Sequence, residues 1–182
     1  MLMYAKEISL ETFNSKINKI LVISDTHQNY YTDIDNEIKK QILIADLVIH
    51  CGDIISNDVI NGIKENAKNT LIVHGNSDPP NIRKNIPGKI VFKIENYVFG
   101  IIHPYWGGPP PLDFDLMLEE FEEYKLDFVL FGHTHDAHIE EYKGITFINP
   151  GQGYSEFVVP MSFCLIEIKK SKISISINKI SP

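Results

Sequence analysis

Seven side chains able to bind a cation fall into five short groups: Asp25 with His27, Asp53 alone, Asn76 alone, His103 alone, and His133 with His135. Asp25 and His27 stand two residues apart, so in extended backbone both side chains leave on the same side. A carboxylate and a neutral imidazole sharing a direction form half of a metal site; the plainer alternative for that pair alone is a satisfied polar turn. Four imidazoles, two carboxylates and one amide make a mixed nitrogen and oxygen set. That set suits Mn²⁺, Fe²⁺, Zn²⁺ or Ni²⁺, whereas a thiolate site would need cysteines that the chain lacks. Seven ligands exceed one tetrahedral zinc and suit two adjacent ions, with one carboxylate bridging them at about 3.5–4 Å. Asp53 is the natural bridge, because it follows Gly52 alone.

The elements that must position these groups follow from the pattern of apolar residues. Ile20-Leu21-Val22-Ile23 reads as a strand buried on both faces, running straight into Asp25. Helical spacing of Ile34, Ile38, Ile42 and Ala45 predicts a helix over 33–45, with a stripe that serves the core. Asp46–His50 is a second buried strand ending in Cys51-Gly52-Asp53. A helix near 57–67 and a strand over Thr70–His74 lead to Gly75-Asn76-Ser77-Asp78. Segments 89–94 and 97–102 flank Glu95-Asn96 as a hairpin that delivers His103. The Trp106–Pro111 stretch is neither helix nor central strand, since proline lacks the donor and glycine supplies turns. A helix is predicted over 113–125, with Asp113 as its cap. The strand 127–131 ends in Gly132-His133-Thr134-His135, and further strands are predicted at about 137–142, 145–149, 161–168 and 172–180.

Alternating strands and helices imply a parallel sheet, and the later strands add a more antiparallel one. The fold class expected is α/β, a two-sheet β-sandwich flanked by helices. In open α/β sheets ligands lie outside the carboxyl ends of the strands, where every one of the groups above falls. One domain spans 1–182, with 1–18 an N-terminal extension, taken as a short helix.

The bulk composition narrows the function classes. The chain is 182 residues long and 43% hydrophobic, enough for one sizeable core. With 17 basic against 24 acidic residues its net charge is −7, which argues against an extended nucleic-acid surface. Cys51 and Cys164 are far apart and form no CxxC, as expected in a reducing compartment. Lys6, Glu7 and Glu11 interrupt the N-terminal apolar residues, so no signal peptide is expected, and no segment approaches a membrane span. A cytoplasmic location is the expectation.

Ser24-Asp25-Thr26-His27, Gly52-Asp53, Gly75-Asn76-x-Asp78, a strand-closing His103 and Gly132-His133-Thr134-His135 occur in this order, followed by Asn149-Pro150-Gly151. In this ordering the chain resembles the calcineurin-like metallophosphoesterase superfamily, and within it the small single-domain phosphodiesterase branch, over about 19–168. The resemblance implies a metal-binding hydrolase with a dinuclear metal centre, its two divalent ions being Mn²⁺ foremost, or Ni²⁺, Zn²⁺ or Fe²⁺. Asp25, His27, Asp53 and His135 would hold one ion, and Asp53, Asn76, His103 and His133 the other. Asp53, Asn76 and His103 are the residues expected to carry catalysis, by attack of a metal-bridging hydroxide on a small, cyclic or nucleotide phosphodiester. A phosphomonoesterase is the alternative among enzymes. A non-catalytic protein-binding scaffold, as in the retromer subunit of the same fold, is the alternative outside them. The 89–102 hairpin, if exposed, could support a homodimer.

Two departures from the family pattern matter. Ser77 stands where larger relatives have the histidine that protonates the leaving group, so esters with acidic leaving groups, or cyclic diesters, are expected to be preferred. Pro104 replaces the glycine usual after the ligand histidine, and Gln152 replaces a small residue and is given no role. His50, His74 and Asp78 are read as supporting or core residues and His138 as a solvent-facing strand position. Cys51 is read as a small buried filler. Trp106 is a packing anchor or a wall against a base or aryl group.

Overall fold

Strand β2 (Lys19–Ile23) shows why its apolar run is unbroken: alternate residues feed two different cores. Ile20 and Val22 point between the sheets, whereas Leu21 and Ile23 point toward helices on the outer side. The computed structural model describes residues 6–8, 16–104, 113–156 and 159–180. The remaining strands are β1 (Lys6–Ile8), β3 (Leu47–His50), β4 (Thr70–Ile72), β5 (Lys89–Ile94), β6 (Tyr97–Ile102), β7 (Phe128–Phe131), β8 (His138–Tyr142), β9 (Ile145–Asn149), β10 (Met161–Lys169) and β11 (Lys172–Ile180). Helices α1 (Asn36–Ile44), α2 (Asn57–Asn66), α3 (Pro80–Asn85) and α4 (Phe114–Glu119) complete it.

Two sheets face each other. One has the order β11-β10-β2-β3-β4, with β2, β3 and β4 parallel; the other has the order β1-β5-β6-β7-β9-β8. Between them lie Val22, Ile49, Ile101, Leu130 and Ile166, together with the stacked rings of Phe92, Phe99 and Phe128. Ile38 and Ile42 of α1 and Val59 and Ile63 of α2 cover the outer face of the first sheet, while Met117 and Phe121 cover the second. The expected two-sheet α/β sandwich with flanking helices is therefore the architecture observed.

Several boundaries moved, each for a local reason. Helix α1 starts at Asn36, because the Asp35 side chain accepts from Glu37 N at 2.7 Å and a 3-10 turn occupies Tyr31–Asp33. Helix α4 stops at Glu119 rather than 125, since Phe121 and Tyr124 N–H groups bond three residues back in tightened turns. Strand β4 ends at Ile72 because His74 N–H turns away to the Pro87 carbonyl at 3.0 Å. Helix α3 was not anticipated: Pro80 sits in its first turn, where a missing N–H costs nothing.

Two expectations are corrected. Part of the lead-in, taken as helical, forms strand β1, parallel to β5. The 89–102 hairpin offers no edge, for β1 pairs with β5 and β7 with β6 on its two sides. Trp106 and its Gly/Pro stretch lie outside the described residues. Cys51 and Cys164 are both buried; burial pushes the Cys51 thiol well up and that of Cys164 up to about 12, so neither is reactive. Among the described residues no helix is long and apolar enough to cross a membrane.

Candidate metal centre

Five strands of the two sheets end at one place. Asp25 follows β2, Asp53 follows β3, Asn76 follows β4, His103 follows β6, and His133 and His135 follow β7. Loop-to-loop hydrogen bonds fasten the first two turns, from Asp25 N to Gly52 O at 3.0 Å and from His27 N to Asp53 O at 3.3 Å. The sheets are joined across the site as well. His133 N donates to Asp25 Oδ2 at 3.0 Å, and His103 Nδ1 lies 2.8 Å from Cys51 O.

Reaching this geometry requires uncommon backbone. Asp25, His27, Asp53, His133 and His135 all have positive φ, between 46° and 81°. That region is costly for residues with a side chain, and its concentration at one locus marks a site rather than scattered turns.

The liganding atoms converge. Asp25 Oδ1 is 3.3 Å from His135 Nε2 and 4.0 Å from both His27 Nε2 and His103 Nε2. Asp53 Oδ2 is 3.7 Å from His27 Nε2 and 3.5 Å from His103 Nε2. Two groups of three have ligand atoms all within 4.8 Å of one another: Asp25, His27 and His135, and Asp25, Asp53 and His103. His133 is in neither group; its ring meets that of His103 at 5.3 Å, as that of His27 meets His135 at 5.3 Å. Asn76 Oδ1 is 3.1 Å from His103 Nε2.

The chemistry of these donors fits a cation. Carbonyl and carboxylate oxygens only accept, and His103 meets Cys51 O at Nδ1 but Asn76 Oδ1 and Asp53 Oδ2 at Nε2; a single ring proton serves one side, and a cation at Nε2 with the proton on Nδ1 serves both. Asp25 Oδ1 and His27 Nε2 are buried and receive no hydrogen bond, although His135 Nε2 lies close to the former. Acceptors held face to face in a buried site call for positive charge, and divalent cations suit this donor set. Burial pushes the Asp25 carboxyl up, but His135, His103 and Ser24 outweigh it and hold the group below the usual carboxylate range. The Asp25 carboxylate in turn raises His135 against its burial, with Gln152 adding to the effect.

Supporting residues surround the centre. Asp78, buried, accepts four backbone N–H groups, from Asp53 at 3.1 Å, Ile54 at 3.0 Å, Ile55 at 2.6 Å and Gly75 at 2.7 Å. It thus shapes the turn that aims Asp53, the supporting role anticipated for it. His50 is fully buried between Gly52 N at 3.2 Å and Thr26 Oγ1 at 3.1 Å. His74 is buried beside Gly75, while His138 is half-buried on β8 against Phe131. Asn149 braces the 132–135 loop through Thr134 Oγ1 at 2.8 Å. A β-carbon on Gly75 would run into Asp53 Oδ1 and approach His103 Cδ2 at 2.8 Å. The sequence gives no spacing signal for Gln152, yet its side chain reaches His135 Nδ1 at 3.0 Å.

The domain model of the calcineurin-like phosphoesterase superfamily matches residues 19–171, and the chain belongs to that family. It is 31% identical over 131 residues to a probable metallophosphoesterase of Methanocaldococcus jannaschii, covering 71% of this chain and 65% of that protein's length. A phosphodiesterase of the same organism is 30% identical over 150 residues, covering 74% of this chain and 83% of the relative. Vacuolar protein sorting 29 of Cryptosporidium parvum has the same fold, with a TM-score of 0.71 at 21% identity over 92% of this chain and all of that one.

Proposed function

We propose that the chain is a dinuclear metal-dependent phosphodiesterase acting on small phosphodiesters, cyclic and nucleotide esters among them. One ion would be held by Asp25, His27, Asp53 and His135 and the other by Asp53, Asn76, His103 and His133. The observation that carries this reading is the position of Asp53 Oδ2, within 3.7 Å of His27 Nε2 and 3.5 Å of His103 Nε2, between one ring of each set. Two divalent cations, manganese foremost, supply charge for the phosphoryl oxygens and make water nucleophilic near neutral pH.

The chain's own residues limit the substrate. Ser77 Oγ donates to Asp53 Oδ2 at 2.7 Å, so its proton is already engaged. A hydroxyl is a poor acid in any case, and a departing oxygen receives no proton from this position. Diesters with acidic leaving groups, or cyclic ones, are the substrates that tolerate this. The relative that is a phosphodiesterase supports diesters over monoesters. With both cysteines buried and unpaired, a reducing cytoplasm is the proposed setting.

The fold shared with vacuolar protein sorting 29 supports a second reading, a protein-binding scaffold. Chelation followed by return of Mn²⁺, Ni²⁺ or Zn²⁺, with aryl and cyclic phosphodiesters and matched monoesters as substrates, separates the readings. Metal-restored diester hydrolysis is expected. Monoester preference would make the protein a phosphatase, and no turnover with any metal would leave the scaffold.

A further inference from the structure

We infer that Gln152 is a positioning residue for His135: its side-chain oxygen accepts the Nδ1 proton and thereby aims Nε2, the atom that would take the cation, toward Asp25. The inference rests on the reading of His135 as a metal ligand.

The direction of the Gln152 amide follows from its partners. Nε2 donates to Tyr154 O at 3.1 Å and to Val159 O at 3.2 Å. Both partners are carbonyls, which only accept, so a flipped amide would set oxygen against two oxygens. Oε1 must therefore face His135 Nδ1, at 3.0 Å. An amide oxygen also only accepts, as does Asp25 Oδ1, 3.3 Å from Nε2; with a cation taken up on Nε2, the proton of the ring is on Nδ1 and is donated to Gln152. Gln152 itself is fully buried and held at both ends. Its carbonyl accepts from Ser162 N at 2.9 Å, and the next residue, Gly153, donates to Ser24 O at 2.9 Å and to Asp25 O at 3.1 Å. The side chain that orients His135 is thus tied to the backbone of the carboxylate that His135 faces.

His103 and His135 are held at Nδ1 by different means. His103 is oriented by a main-chain carbonyl, Cys51 O, which no substitution at position 51 removes. His135, on left-handed backbone at φ 61°, takes the equivalent bond from a side chain. Partners of this kind fix the tautomer of a ligand histidine, and losing one weakens metal binding by roughly 10–100-fold.

The test begins with the wild type loaded with Zn²⁺, by imidazole ¹⁵N–¹H correlation NMR. A His135 Nδ1–H that is hydrogen-bonded and protected from exchange with water is expected; an Nδ1–H in free exchange overturns the inference without any variant. Gln152→Met keeps the volume but offers only a weak thioether acceptor, and it should speed exchange of the Nδ1 proton and weaken Mn²⁺ binding about 10–100-fold. Unchanged exchange and unchanged Mn²⁺ affinity in a folded Gln152→Met overturn the inference too. His135→Ala is the control for the underlying reading. If it leaves Mn²⁺ affinity unchanged, the metal-centre assignment of His135 fails, while exchange of the Nδ1 proton still decides the part played by Gln152.

Discussion

Ser77 donates its hydroxyl to Asp53 Oδ2 at 2.7 Å and its backbone N–H to Oδ1 of the same carboxylate at 2.8 Å. Where larger relatives would place a proton donor for the leaving group, this chain places a clamp on the carboxylate proposed to bridge the ions. The expected signature is kinetic. Across aryl phosphodiesters, log kcat should fall steeply as the leaving-group pKa rises, and Ser77→Ala should leave that slope unchanged. A flat dependence in the wild type, or a slope altered by Ser77→Ala, would mean that an acid acts on the leaving oxygen.

Asp78 is a structural anchor. Four buried or half-buried N–H groups lose their acceptor in Asp78→Ala, and bonds to a charged acceptor contribute about 1.5–3 kcal/mol each, though not additively. A loss of about 3–5 kcal/mol in urea denaturation is expected. A change below about 1 kcal/mol would contradict the anchoring role.

At Gly75 the backbone leaves no room for a side chain beside Asp53, the carboxylate proposed to bridge the ions. Gly75→Ala places a methyl against Asp53 Oδ1 and beside His103, so the carboxylate must move. Mn²⁺ affinity measured by calorimetry should fall at least about 10-fold, as when a ligand's support is lost. Unchanged affinity would show that the close approach has no bearing on the centre.

His50 makes stability depend on pH. Burial, with His103 and His27 adding to it and Asp25 opposing it, pushes the ring down to about 3 from its ordinary value near 6.5. The unfolded chain therefore takes up a proton below about pH 6.5 that the folded chain refuses until near pH 3. Stability drawn from the neutral ring is complete above that upper value and is lost as pH falls through the window. His50→Gln removes this contribution, so its stability should fall less steeply than that of the wild type, by up to about 1.4 kcal/mol per pH unit. Parallel pH profiles for the two proteins would contradict a neutral, buried His50.

Much of this arrangement was legible before any coordinates. The hairpin segments 89–94 and 97–102 were read to the residue, because a tight Glu95-Asn96 turn punctuates two β-rich runs. The seven proposed ligands were legible because each follows a strand end, and strand ends are marked by where apolar runs stop. Sheet order was not, since the pairing of β1 with β5 depends on contacts more than 80 residues apart that leave no local signal. Helix α3 leaves no clear signal either, since Pro80 lies in its first turn and proline is as acceptable there as in a loop. Gln152 carries no signal in the sequence because a lone amide has no periodicity; its two carbonyl partners reveal which way it points.

The most direct test is anomalous diffraction from crystals soaked in manganese. The proposed centre requires two ions per chain, about 3.5–4 Å apart, with Asp53 touching both. A single ion, or two ions that do not share Asp53, would contradict it.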